Sequence, residues 1–115
     1  MTQTKRIEIS KDMIRGHIDA IILNLLMDKD MYGYEVYKTV LSRTSSMYEL
    51  KEPSLYSAFR RLEKLDYIKG YWGEESKGGR RKYYSITDVG KELCLCLRLE
   101  WKNTKTILDM LIGEA

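Results

Sequence analysis

Histidine, cysteine and proline are scarce in this chain, and long apolar runs are missing. Of 115 residues, one is histidine, one is proline and two are cysteine. The single histidine, His17, has no nucleophile and carboxylate placed beside it by any motif, which leaves little for acid–base catalysis. There is no Gly-rich phosphate loop and no HExxH-type metal pair, and Gly78-Gly79 reads as a turn. The chain is therefore not expected to be an enzyme or to carry a cofactor. Two cysteines do not make a disulfide scaffold. Cys94 and Cys96 stand about 200° apart around an expected helix, so they cannot readily share one ion, and packing rather than metal binding is expected. Asn24 and Asp28 interrupt the best candidate for a membrane span, which falls short of the roughly 20 apolar residues a bilayer requires. The opening stretch, MTQTKRIEIS, has no apolar segment that could serve as a signal peptide. The expected location is the reducing cytoplasm.

What is present suits one small globular domain: 43% of residues are hydrophobic and 32% charged. A domain this small leaves much of its surface wet, which raises the prospect of a partner subunit. The net charge of +3 says little by itself, but its placement is uneven. Residues 51–84 carry nine Lys/Arg against five Asp/Glu, whereas residues 1–50 sum to zero and residues 85–115 to −1.

Periodicity divides the chain into elements. Ser10 is a reasonable N-cap for a first helix in which Ile14, Ile18, Ile21, Ile22, Leu25 and Leu26 form an apolar stripe. That helix ends at Asp28-Lys29-Asp30. A second helix starts at Tyr32-Gly33-Tyr34, buries Val36, Tyr37, Val40 and Leu41, and breaks at Thr44-Ser45-Ser46. Met47 to Leu50 suits a brief strand. Glu52-Pro53-Ser54 is a helix start with proline in the first turn. Leu55, Ala58, Phe59, Leu62 and Leu65 then share one face, opposite Ser57, Arg60 and Lys64, with Tyr56 and Arg61 on the flanks. Two strand-like runs, 67–75 and 80–86, joined by Ser76-Lys77-Gly78-Gly79, form a hairpin with a basic shoulder of Lys77, Arg80, Arg81 and Lys82. Within it Tyr84, on one face with Ile86, is expected to be the buried member of the Tyr83-Tyr84 pair. Thr87-Asp88 caps a last helix running to about Leu111 or Ile112. At ~1.5 Å per residue its roughly 37 Å exceed what a compact body of this size covers. Its stripe of Val89, Leu93, Leu97, Trp101, Leu108 and Leu111 therefore needs a second chain, and a homodimer is expected.

Helix, short helix, turn, helix and basic-tipped hairpin is the order of a winged helix-turn-helix. The expected fold is mainly α with a small β-hairpin, residues 10–86 forming a DNA-binding domain and 87–113 a C-terminal dimerisation helix. In such a fold one helix reads the major groove while the hairpin follows the neighbouring backbone with its cations. The local excess of positive charge coincides with the two elements proposed to touch DNA. Each has a bland alternative: Arg60, Arg61 and Lys64 as a solvated helix face, and the hairpin cations as edge-strand protection. The alternatives in function are a winged-helix protein-interaction module that never binds DNA, and a regulator with no small-molecule effector.

Four blocks resemble the PadR family of dimeric winged-helix transcriptional regulators: Tyr32-Gly33-Tyr34-Glu35; Pro53-Ser54-Leu55-Tyr56 with Arg60-Arg61-Leu62-Glu63-Lys64; Gly78-Gly79-Arg80-Arg81-Lys82-Tyr83-Tyr84; and Thr87-Asp88-Val89-Gly90. The resemblance spans about residues 10–112. The single long C-terminal helix is similar to the short subfamily, whose best-known type is a multidrug-binding repressor of efflux-pump genes. The resemblance implies a repressor bound to a pseudo-palindromic operator. Ser54, Tyr56, Ser57 and Arg60 match the DNA-facing part of the family's recognition helix, and Lys77, Gly78, Gly79 and Arg80 match the wing tip. Trp101 matches a tryptophan that stacks on flat aromatic ligands across the dimer, although periodicity alone makes it a dimer-core residue. Met13, Gly16, Asp19 and Ala20 match the first-helix wall of that pore. The chain departs from the drug-binding type with Lys105 in place of a carboxylate and Arg98 in place of an aromatic. On these residues a neutral or anionic aromatic effector suits the pore better than a cationic one, unless Lys105 pairs with Asp19 and fills the space.

Overall fold

The computed structural model describes residues 11–73 and 79–113. Its elements run α1 (Lys11–Arg15), α2 (Ile18–Asp28), β1 (Met31–Tyr32), α3 (Gly33–Arg43), α4 (Glu52–Lys64), β2 (Ile68–Trp72), β3 (Lys82–Ile86) and α5 (Asp88–Ile112). This is a mainly helical fold with a small antiparallel sheet and one long C-terminal helix. Ser10 and the hairpin's Ser76-Lys77-Gly78 lie outside the described residues.

The expected first helix is two. The apolar stripe continues through Gly16-His17, but the backbone turns there: His17 N–H donates to the Ile14 carbonyl at 2.7 Å, and His17 adopts φ −110°, ψ 5°. From Ile18 the helix resumes and buries Ile18, Ile22, Leu23, Leu25 and Leu26. α3 adds Val36 and Val40, and α4 adds Leu55, Ala58, Phe59 and Leu62. Leu50, Ile68, Tyr84 and Cys94 close the same core.

The sheet has three strands in the order β1-β3-β2, not two. Met31 pairs with Tyr84 and Tyr32 with Tyr83, while Ile68 to Trp72 pair with Ile86 to Lys82. β2 ends at Trp72 and β3 begins at Lys82, so Gly73, Arg80 and Arg81 lie outside the strands, and Glu74 and Glu75 lie outside the described residues. The strand expected at Met47–Leu50 does not form. Ser45 and Ser46 are in the left-handed region (φ 51° and 65°), and the Thr44 hydroxyl accepts from Tyr48 N–H at 3.2 Å. That segment is a loop that plants Leu50 in the core. Tyr84 is buried as expected. Leu65 is not: α4 ends at Lys64, and Leu65 points to solvent. A Schellman arrangement stops the helix there, with Tyr67 N–H on the Leu62 carbonyl, Asp66 N–H on the Glu63 carbonyl, and Asp66 itself left-handed (φ 63°).

Thr87 joins this stop to the next start. Its hydroxyl accepts from Gly90 N–H at 3.1 Å, capping α5, and donates to the Asp66 carbonyl at 2.7 Å. Gly90 is buried against Tyr67, whose carbonyl oxygen occupies the place where a Cβ would go. Thr87→Ala removes both hydrogen bonds and is expected to cost ~1–2 kcal/mol, read as a lower urea midpoint at unchanged slope.

Only the first turns of α5 enter the core, through Gly90 and Cys94, with Leu93 and Leu97 packed at its edge. Arg98 and Trp101 still reach α2, and beyond Thr104 the helix stands clear. A radius of gyration of 16.7 Å and extents of 57 × 33 × 21 Å record that projection, against about 13 Å for a compact chain of this length. Leu99, Ile107, Leu108, Met110, Leu111 and Ile112 are all exposed along it.

Candidate functional site

α4 has a strongly divided surface. Its inner side is apolar; its outer side presents Ser54, Ser57, Arg60 and Lys64 to solvent. Tyr56 is partly exposed, with its ring edge-on to Phe59 at 5.7 Å. The far end of that ring lies over Gly33, where any Cβ would collide with it, so the glycine that opens α3 is what admits Tyr56. Between the starts of α3 and α4 lies a groove of about 500 Å3, whose lining includes Tyr34, Tyr37, Glu49, Lys51 and Tyr56.

The hairpin cations are not equivalent. Lys77 and Gly78 lie outside the described residues. Gly79 has φ +92°, a conformation that favours glycine. Arg80 lies over the Trp72 ring at 5.3 Å and Arg81 over the Tyr32 ring at 4.6 Å. Lys82 turns inward, 3.6 Å from Glu63 and 5.4 Å from the Tyr84 ring centre. Among the described residues, the basic shoulder on the outer side is therefore Arg80 and Arg81, each resting on an aromatic. Trp72 and Tyr71, not singled out from the sequence, are part of this surface. The Tyr71 hydroxyl donates to the Asp30 carboxylate, which holds its phenol up to about 12.

The residues matched to a ligand pore are partly brought together. Gly16, Asp19, Ala20 and Trp101 line a cavity of about 220 Å3 between α2 and α5, together with His17, Leu93, Leu97, Glu100 and Thr104. Met13 is exposed and does not line it. His17, given no role from the sequence, stands edge-on to Trp101, ring centres 5.0 Å apart. Its signal was the helix break, which periodicity does not reveal.

Four charged residues do other work than expected. Asp19 does not pair with Lys105. It binds Arg61 of α4, with Nε donating to Oδ2 at 3.3 Å and Nη2 to Oδ1. Lys105 lies 5.8 Å over the Trp101 ring, outside the cavity lining. Arg98 leaves the cavity too, with Nε donating to Asn24 Oδ1 at 2.7 Å. The charged side chains on the cavity wall are thus the carboxylates Asp19 and Glu100, and the electrostatic ground for a neutral or anionic ligand goes with the misplaced cations. Arg61, read as a flank of the DNA-facing side, is turned toward α2, and its hydrogen bond to Asp19 raises its pKa. Burial pushes the Cys94 thiol up, with Arg98 opposing. Among the described residues no group of three or more His, Cys, Asp or Glu could hold a metal ion. None of the described helices is long and apolar enough to cross a membrane.

Three helices, a short β1 strand and a two-stranded wing, with a basic outer face on α4, define the winged helix-turn-helix class. A family model, the transcriptional regulator PadR-like family, matches residues 22–94. The chain belongs to that family, whose members are transcriptional regulators. It is similar to an uncharacterized protein of Lysinibacillus sphaericus, 46% identical over 102 residues that cover 89% of this chain and 94% of the other. A solved transcriptional regulator from Clostridium thermocellum is 47% identical with a TM-score of 0.84, covering 90% of this chain and 98% of that one. A PadR family transcription regulator from Clostridium difficile is 40% identical with a TM-score of 0.75, covering 85% and 100%.

Proposed function

We propose that this protein is a cytoplasmic, homodimeric, sequence-specific DNA-binding repressor with a small aromatic effector. Residues 10–86 act as the reading head and residues 87–113 as the dimerisation helix. Two heads place their α4 helices in successive major grooves of a pseudo-palindromic site, ~34–36 Å apart. Ser54, Tyr56, Ser57, Arg60 and Lys64 face the groove, and the wing from Lys77 to Arg80 follows the backbone. The effector sits at the dimer interface beside Trp101, where the α2–α5 cavity forms one wall of its site, as in the multidrug-binding type the sequence resembles, and releases the DNA.

One observation carries this reading: the polar, basic outer face of α4 lies in the same domain as an α5 whose apolar side chains from Ile107 to Ile112 are exposed. The first supplies phosphate and base contacts; the second supplies an interface that pairs two reading helices. The test is binding to DNA from the protein's own upstream region at several salt concentrations, with scrambled DNA as control. Tight binding to the native fragment, falling steeply with salt, is the expected result. Arg60→Ala is expected to weaken it by ~1–3 kcal/mol, the usual range for a base contact. Equal binding of native and scrambled fragments would remove the sequence-specific reading. No salt-sensitive binding to either would leave the protein-interaction module as the better account.

A further inference from the structure

We propose that the Asp19–Arg61 ion pair couples the α2–α5 cavity to the reading helix. The inference rests on the DNA-binding reading above and adds a route by which the cavity acts on it. Asp19 is both a wall of the cavity and the partner of Arg61, so one carboxylate belongs to two sites at once. Both of its oxygens are engaged by the guanidinium fork of α4, the geometry that makes an Arg–carboxylate contact directional. Glu100, the other carboxylate on the wall, makes no ion pair among the described residues and stands on α5. Only Asp19 therefore connects the cavity to α4 through charge.

A cationic group entering the cavity competes with Arg61 for Asp19. By linkage, whatever weakens the pair from the cavity side also weakens the seating of α4, and whatever tightens α4 on DNA favours the closed pair. Arg61 is turned away from the outer arc of Ser57, Arg60 and Lys64, so it acts on the seating of α4 and not on phosphates. A half-exposed pair of this kind limits the effect to about fivefold per head. Two heads on one operator raise that limit to roughly 25-fold.

The experiment uses the full chain with Trp72→Phe, so that Trp101 is the remaining tryptophan. Without DNA, Arg61→Gln is expected to change Trp101 emission, while Lys69→Gln, an exposed change on β2, leaves it alone. Identical emission in the two variants overturns the coupling, whether or not the protein binds DNA. With DNA from the upstream region as probe, Asp19→Asn and Arg61→Gln are each expected to weaken binding severalfold at unchanged salt slope. The double variant is expected to lose no more than either single variant. Additive losses, or tighter binding by Asp19→Asn, overturn the proposal. So does a salt slope reduced by about one ion in Arg61→Gln, which makes Arg61 a phosphate contact. Failure of the unmodified protein to bind any DNA would instead fall on the DNA-binding reading, with the Trp101 comparison still deciding the coupling.

Discussion

Phe59→Ala is expected to lower folding stability by ~3–5 kcal/mol, the range for truncating a fully buried aromatic. The ring is 1% exposed and lies stacked on Tyr84, centres 4.1 Å apart and planes 16° from parallel, with Tyr56 edge-on at 5.7 Å. It is the side chain that fastens α4 to the central strand of the sheet. Removing it leaves a cavity under the outer-facing residues and takes away a large part of the ~5–15 kcal/mol that a domain of this kind has in total. Phe59→Leu keeps most of the volume and loses the aromatic contacts, so its cost is expected to stay below about 2 kcal/mol. Urea unfolding of both variants reads the difference. An alanine variant no weaker than the leucine variant would mean that the ring is not the fastening described here.

Leu108→Glu with Leu111→Glu is the second large effect. Both side chains are exposed on the projecting part of α5, 42% and 73% respectively, so the fold of one chain does not depend on them. In a dimer paired along α5 the two changes place four carboxylates in an apolar interface. Sedimentation is expected to show monomers where the unmodified chain sedimentates as a dimer. Affinity for the upstream DNA is expected to fall by ~10²–10⁴, because the second head no longer binds as part of the same molecule. The far-ultraviolet spectrum should be retained. If the variant remains dimeric, α5 is not the interface; if it is monomeric yet binds DNA equally well, the paired-head arrangement fails.

The parts of this fold that could be read in the sequence are those specified by local physics. The inner face of α4 is legible because Leu55, Ala58, Phe59 and Leu62 recur at helical spacing behind a first-turn proline. Thr87 and the long α5 are legible for similar reasons, including the inference that the helix projects. β1 was not legible. It is two residues long, too short for alternation to register, and its partners Tyr83 and Tyr84 are about fifty positions away. The break at Gly16-His17 was hidden because the hydrophobic period runs through it. In the cavity the aromatic and small residues could be matched from the resemblance, but the charges could not be assigned. Whether Asp19 meets Lys105 or Arg61 depends on how α2 crosses α4 and α5, which no spacing within a segment encodes.

The rooting of α5 gives the molecule a mechanical advantage. One end is held against the body of the fold through Gly90, Cys94, Arg98 and Trp101, while the part beyond Thr104 is bare rod. A swing of ~5° about Trp101 carries the tip, ~16 Å further along the helix, through ~1.5 Å. Small adjustments around Trp101 are thus carried out to the far end. Run in reverse, a displacement imposed at the tip is delivered to the packing around Trp101.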